Sequence, residues 1–362
     1  MNLKNILKHI IRRTARIAAG VCMLTGLASC DGMIYDGEGD CDPHYKVRFV
    51  YDRNLKYTDA FAAEVDEVTL YIADRDGNVV WRKHEAGDAL RSGSYMMDVE
   101  GLEPGTYSLL AWCGSGHTTD FSIPGDAGRL TDLQATLGGR TAHDAGWDFQ
   151  GSAVRDDFRD LYHGKLADVT FPDTQGTHVF EVNLTKDTND VHVVLQHLSG
   201  DPVDESRFLF TIEEESGKMD WDNTVLSDEP LRFYAHTVTS GSAGVEVPDY
   251  RGDGQGGEAD SRAAITQVSC AVADFQVSRI TPRQRNVVRI YNRDTKELVA
   301  AIPLADYALI TKGKHAKLSD EDYLDYRDDY SLVLFLDDNG RWINTQIYIN
   351  SWHIILQDVN PQ

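Results

Sequence analysis

From Tyr45 onward the chain runs in short stretches of alternating apolar and polar residues, interrupted by turn residues about every ten positions. In Lys46-Val47-Arg48-Phe49-Val50-Tyr51, the side chains of Val47, Phe49 and Tyr51 fall on one face of a strand. Val68, Leu70 and Ile72 repeat the pattern. The turn Asp74-Arg75-Asp76-Gly77-Asn78 then leads to Val79-Val80-Trp81. An Asp-Gly pair between two such runs predicts a hairpin, because both residues tolerate positive φ. After the turn Gly101-Leu102-Glu103-Pro104-Gly105, Tyr107, Leu109 and Ala111 share a face of the run Thr106 to Trp112.

A second block follows Phe171-Pro172-Asp173-Thr174-Gln175-Gly176, which reads as a linker. Phe180, Val182 and Leu184 alternate there, as do Val191, Val193 and Leu195, then Phe208, Phe210 and Ile212. Residues 240–260 are Gly-rich and acidic and predict a mobile loop. Ser319 followed by Asp320, Glu321 and Asp322 predicts a capped helix start. Leu332 to Leu336, the turn Asp337-Asp338-Asn339-Gly340, and Trp342 to Leu356 complete the pattern, with Ile343, Thr345, Ile347 and Ile349 on one face. The expected fold is all-β, with two sandwiches in series: 45–172 and 177–362.

The first 44 residues have a different pattern. Lys4, Lys8, Arg12, Arg13 and Arg16 precede an apolar stretch from Ile17 to Leu27, which is too short for a permanent membrane span. The stretch ends in Leu27-Ala28-Ser29-Cys30, the form of a bacterial lipobox. Cleavage is expected between Ser29 and Cys30, with acyl chains, palmitate among them, carried by Cys30. Residues 1–29 then form a removed signal peptide, and residues 30–44 a flexible Gly- and Asp-rich tether. Several acyl chains on one cysteine give stable anchoring where a single chain is marginal.

Charge sharpens this picture. The chain has 362 residues, 35 basic and 58 acidic, for a formal net charge of −23. The signal peptide holds five basic and no acidic residues, so the mature chain has 35 − 5 = 30 basic residues against 58 acidic, a net of −28. Such a body is repelled by anionic head groups and lacks the clustered cations that nucleic acid requires, so no nucleic-acid partner is expected. Cys22 leaves with the signal peptide and Cys30 is acylated. Cys41, Cys113 and Cys270 remain, allowing at most one internal disulfide, and the pairing is open.

Candidate chemistry is sparse. The sequence contains no H-E-x-x-H, G-x-S-x-G or Walker A motif, so no catalytic residue, cofactor or metal is expected and an enzyme is not. Gly252-Asp253-Gly254-Gln255-Gly256-Gly257 fits G-x-G-x-x-G but lacks the strand-to-helix setting that a dinucleotide needs. Arg251-Gly252-Asp253 in the same loop matches the integrin tripeptide and has no assigned role. Asp74, Asp76 and Asn78, and Asp337, Asp338 and Asn339, could offer oxygens to Ca²⁺ but lack the downstream Glu of an EF-hand; hairpin turns are the simpler reading. His192 and His197 fall on opposite faces of a strand. Adjacent acids such as Asp156-Asp157 and Asp328-Asp329 read as solvated surface, and Asn183-Leu184-Thr185 as an idle sequon.

Several ordered stretches together resemble the fimbrium anchoring lipoproteins of Bacteroidales. They are the lipobox, 47–52, 59–61, Val65 to Gly77, Leu102 to Trp112, 160–164, Val182 to Val194, Tyr323 to Tyr330 and 347–352. The resemblance implies two tandem transthyretin-like sandwiches and a lipid-anchored base unit holding a fimbria to the outer membrane. It further implies fimbrillin-type subunits as partners through strand addition, and control of fibre length. Neither the exchanged strand nor the particular fimbrillin can be carried over. The alternative is a surface glycan-binding lipoprotein of a nutrient-uptake system, with a β-sandwich glycosidase behind it. Sugar platforms would come from Trp81, Trp112, Trp147, Trp221, Trp342 or Trp352, of which Trp81, Trp112 and Trp342 lie in or beside strand patterns and suit core packing.

Overall fold

In a computed structural model, the structure describes residues 42–114, 120–147, 149–215, 217–226, 228–246, 265–349 and 352–355. Strands dominate, three of the helical segments are α-helical and short, and the all-β expectation holds. Strands are numbered in chain order. A seven-stranded sheet has the order β3(Val79–Ala86), β2(Glu67–Ala73), β5(Gly105–Gly114), β10(Leu161–Phe171), β11(Gly176–Lys186), β1(Pro43–Val50), β4(Met97–Val99). The second sheet runs β16(Thr237–Glu246), β17(Ile265–Ser278), β12(Thr188–His197), β20(Asp329–Leu336), β21(Trp342–Ile349), β22(Trp352–Ile355). The third runs β19(Leu298–Pro303), β18(Val287–Asn292), β13(Phe208–Glu214), β15(Leu231–Tyr234), β9(Phe149–Val154), β8(Thr141–Gly146). A small sheet joins β14(Lys218–Met219), β7(Ala135–Leu137) and β6(Phe121–Ser122). The helices are α1(Phe61–Glu64), α2(Leu304–Ile310) and α3(Asp320–Asp325).

The turn chemistry acts as the sequence predicts. Asp74 Oδ1 accepts from the backbone N–H of Asp76 and of Asn78, and Gly77 takes φ 82°, closing the β2–β3 hairpin. Asp337 does the same for Asn339 and Arg341 between β20 and β21. Both carboxylates are held below the usual range, Asp74 first by the Asn78 side chain and Asp337 first by the Arg341 backbone N–H. Ser319 caps α3 by accepting from Asp322 N at 2.9 Å.

Two hydrophobic cores form. The smaller lies on one face of the first sheet and includes Val47, Phe49 and Tyr51 of the β1 run, Val68, Leu70 and Ile72 of β2, and Leu109 and Ala111 of β5. The larger is filled by the second and third sheets, through residues such as Val191, Val193 and Leu195 of β12 and Phe208, Phe210 and Ile212 of β13. Tyr71 and Ala73 of β2, with Leu110 and Trp112 of β5, belong to this larger core. Both strands are therefore buried on both faces, and each core shares them.

This changes the expected boundary. The segment Phe171 to Gly176 is no linker: β10 and β11 pair antiparallel on either side of it, Tyr162 opposite Lys186 and Gly164 opposite Leu184. The first sheet thus extends to Lys186. Nor is the expected first block, 45–172, contiguous. β9 pairs in parallel with β15, and β7 pairs with β14, so residues 121–154 join sheets of the later chain. The described residues of 45–172 and 178–362 make one compact body, and 42–44 with 173–177 belong to a separate small unit. The expected loop at 240–260 is also shortened. Residues Thr237 to Glu246 pair with β17 as far as Glu246 opposite Ile265, so a long antiparallel ribbon replaces its first part. The Arg-Gly-Asp at 251–253 and the glycines at 252–257 lie outside the described residues, as do Ser29, Cys30 and Cys41.

Candidate functional site

Two features stand out: an ionic junction between elements far apart in sequence, and the unpaired edges of the sheets. The junction begins where β1 ends. Tyr51 is fully buried, stacks edge-on against Tyr162 with ring centroids 5.1 Å apart, and donates its phenol to Asp328 Oδ2 at 3.1 Å. Burial, with Asp328 and Glu64 nearby, pushes the Tyr51 phenol far above its ordinary pKa, so it stays a donor. Arg53 donates to Asp322 of α3 and to Thr185 Oγ1 at 3.2 Å, and stands 3.6 Å from Asp325. Below it, buried Arg279 forks onto Asp325 with three contacts of 2.8–2.9 Å and donates to the Asn223 carbonyl at 2.5 Å. Bidentate guanidinium–carboxylate geometry of this kind fixes direction as well as charge.

Asp187, the residue following β11, is fully buried 3.7 Å from Arg279 and accepts from Asn223 Nδ2 at 2.9 Å. Burial raises it to about 7, with Arg279 and Asn223 opposing. His163 of β10 is pushed down to about 4 by burial, so it is neutral at neutral pH and its Nε2–H donates to the Trp221 carbonyl at 3.0 Å. Lys186 stands 3.1 Å from Asp160 and 3.7 Å from Asp190. These groups tie the first sheet to α3 and to the 221–223 turn. Each charged member has a partner, although Asp187 Oδ2 and Asn223 Oδ1 are left without one, and the cluster joins these elements.

The edge strands of the three large sheets are β3 and β4, β16 and β22, β19 and β8. Alternate residues of β3 are exposed, Val80 at 50%, and the Val79 end is covered by Gly128 through Val79 N donating to its carbonyl. Unpaired edges are templates for a further strand.

Residues singled out in the sequence separate cleanly. Trp112 is buried and donates Nε1–H to the Leu133 carbonyl; Trp81 and Trp342 pack against the cores. Trp147 packs on Tyr291, Trp221 lies under the Lys165 ammonium at 3.8 Å, and the side chain of Trp352 is outside the described set. Among the described residues no tryptophan presents an open ring. Cys113 and Cys270 are each free and buried. His192 pairs with Asp274 at 2.7 Å while His197 contacts the Asp337 carbonyl, so the two are not brought together. Asp156 and Asp157 are exposed as expected, but Asp328 is half-buried in the junction. The junction itself escaped sequence reading, because 58 acids hide the few that are buried. The family stretches 160–164 and 323–330 are the signals that the sequence offers.

Comparison with known proteins assigns the family. Two solved Bacteroides thetaiotaomicron proteins, a candidate adhesin and a candidate polysaccharide-binding protein, superpose with TM-scores of 0.71 and 0.70 at 27% identity each. Each alignment covers 88% of this chain, with 99% and 100% of the respective neighbour. The fimbrial anchor protein Mfa2 of Porphyromonas gingivalis shares the fold, with TM-score 0.59 and 16% identity over 88% of this chain and 100% of that one. In sequence the minor fimbrium anchoring subunit Mfa2 of that organism is 31% identical over 154 residues, 39% of this chain and less than half (43%) of that protein. The family model of the fimbrillin-A associated anchor proteins Mfa1 and Mfa2 matches residues 38–358, and the chain belongs to that family.

Proposed function

We propose that this protein is the lipid-anchored base of a fimbrium, acylated at Cys30 after cleavage behind Ser29 and displayed from the outer membrane. The family match across residues 38–358 carries this reading. The architecture supports it physically. The expected tether, 30–44, feeds β1, which sits between β11 and β4, and the chain leaving β1 is fastened through Tyr51 and Arg53 to Asp328 and α3. A pull on the N-terminus is thereby spread over the first sheet and the junction. Fimbrillin-type subunits attach by strand addition at an unpaired sheet edge, and a base with one such surface limits fibre length. The glycan-binding alternative draws support from one B. thetaiotaomicron neighbour, but none of the tryptophans whose side chains are described is exposed, and Tyr57, at 58%, is the exposed aromatic among the described residues.

Deletion of the gene followed by electron microscopy and fractionation tests the role: fimbriae should be shed into the medium or change length. Normal, cell-attached fimbriae would overturn it. Separately, Cys30→Ala should abolish incorporation of labelled palmitate; continued labelling would remove Cys30 as the acylation site.

A further inference from the structure

The segment Thr281 to Asn286, joining β17 to β18, carries Arg283 and Arg285, both exposed and without an ion-pair or hydrogen-bond partner among the described residues. In a body with a net charge of −28 this is an unusual place. The two guanidiniums line a cavity of about 390 Å³, within the range of binding pockets. Its floor is the outward face of the β18–β19 pair: Val287 stands opposite Pro303 and Arg289 opposite Ala301, and all four line it. Asp306 is the single acid among the lining residues. Arg289 is paired with Glu213 at 2.8 Å, a carboxylate it shares with buried Arg232 at 2.7 Å. The lining cations with no acidic partner among the described residues are Arg283 and Arg285.

A second, independent feature lies behind the same segment. Asn286 is 1% exposed and its side-chain amide faces Glu214, while the buried Gln284 Nε2 has no hydrogen-bond partner among the described residues. Native proteins seldom leave a buried polar group such as the Gln284 amide unpaired. Gln284 and Arg283 also line the neighbouring cavity of about 400 Å³, so the segment is a wall with a recess on each side.

We propose that this recess binds the carboxylates of an acidic, extended protein segment. Arginine forks match carboxylates. β19 is an edge strand, open along Leu298 to Ile302 for backbone pairing, so a strand laid there brings its side chains to the Arg wall. A polysaccharide cannot form that ladder, and no aromatic ring lines the cavity for a sugar to stack on. The site stands whether or not the anchor reading holds.

The test is fluorescence anisotropy with the purified full chain and a labelled decapeptide of alternating Glu and Val, at low and high salt. Binding should weaken with salt, be absent for the Gln/Val peptide, and fall tenfold or more in Arg283→Glu/Arg285→Glu. The double variant should keep its melting temperature, because both side chains are exposed; Arg91→Glu, at a surface pair with Asp66 beside the first sheet, should bind as the parent does. Equal binding of the Gln/Val peptide, no binding of the Glu/Val peptide, or unchanged affinity in the double variant would overturn the site. Polygalacturonate competing better than the Glu/Val peptide would overturn the peptide assignment.

Discussion

Glu214 shows how one residue can set a pH dependence for the whole chain. It is 2% exposed, and burial raises it to about 8, although Ser278 Oγ donates to it at 2.6 Å and the Asn286 amide also opposes the rise. In the unfolded chain it titrates at the ordinary 4.5. Between those values the folded state holds the extra proton, so stability is full below about pH 4.5 and is lost as pH rises towards 8. The loss amounts to a few kcal/mol, at about 1.4 kcal/mol per unit. Asp187 contributes with the same sign up to about 7. Glu214→Gln keeps an acceptor for Ser278 and removes the titration. The variant should match the parent near pH 4.5 and exceed it by a few kcal/mol at pH 8 in urea titrations; parallel pH curves would contradict this assignment. Arg279 presents the opposite case. Arg279→Met leaves Asp325 and Asp187 buried without their cation, and should cost about 3–5 kcal/mol at pH 8 by the same titration. Neither effect is legible in the sequence, where buried and exposed acids look alike and only long-range pairing tells them apart.

At the scale of elements, local chemistry is legible and partnership is not. The Asp-Gly turn of β2–β3, the Asp337 turn and the Ser319 cap follow from residue types alone, because their hydrogen bonds close within four residues. Ser319→Ala should cost about 1 kcal/mol and loosen α3; unchanged amide exchange in Asp322 and Tyr323 would count against the cap. β9, β10, β15, β16, β17, β18 and β19 carry no strand signal of their own in the sequence reading, and the residues of β9 fall within the expected first block although β9 pairs in parallel with β15, far along the chain. Gly151 shows why that pairing needs its sequence. A Cβ there would lie 2.2 Å from the Pro230 carbonyl oxygen, a backbone atom, next to the bond from Ser152 N to the same oxygen at 3.0 Å. Gly151→Ala must push β9 from β15. A loss of about 1–3 kcal/mol in thermal unfolding is expected, and a neutral outcome would mean that the two strands can part without cost.

For the whole molecule, the expected division into two blocks fails because β2 and β5 read as ordinary alternating strands. Their second apolar sets, Tyr71 with Ala73 and Leu110 with Trp112, could be recognised as core only once a second sheet was known to cover them. Sharing two strands couples the cores, and the junction adds a polar fastening at the exit of β1. If the molecule bears load from its N-terminus, β1 is the element at risk: stripping it breaks its ladder and exposes Val47 and Phe49. The fastening at Tyr51 and Arg53 opposes that step without belonging to the ladder, so its loss should lower the barrier to local opening more than it lowers global stability. Tyr51→Phe with Arg53→Met removes the contacts to Asp328, Asp322 and Thr185 and leaves the Arg279–Asp325 pair in place. Native-state hydrogen exchange should then show β1 amides exchanging faster than those of β12 and β20, whereas in the parent all three should exchange together. If β1 keeps its protection in the double variant, the ladder alone holds it, and the junction serves to bury charge rather than to resist a pull.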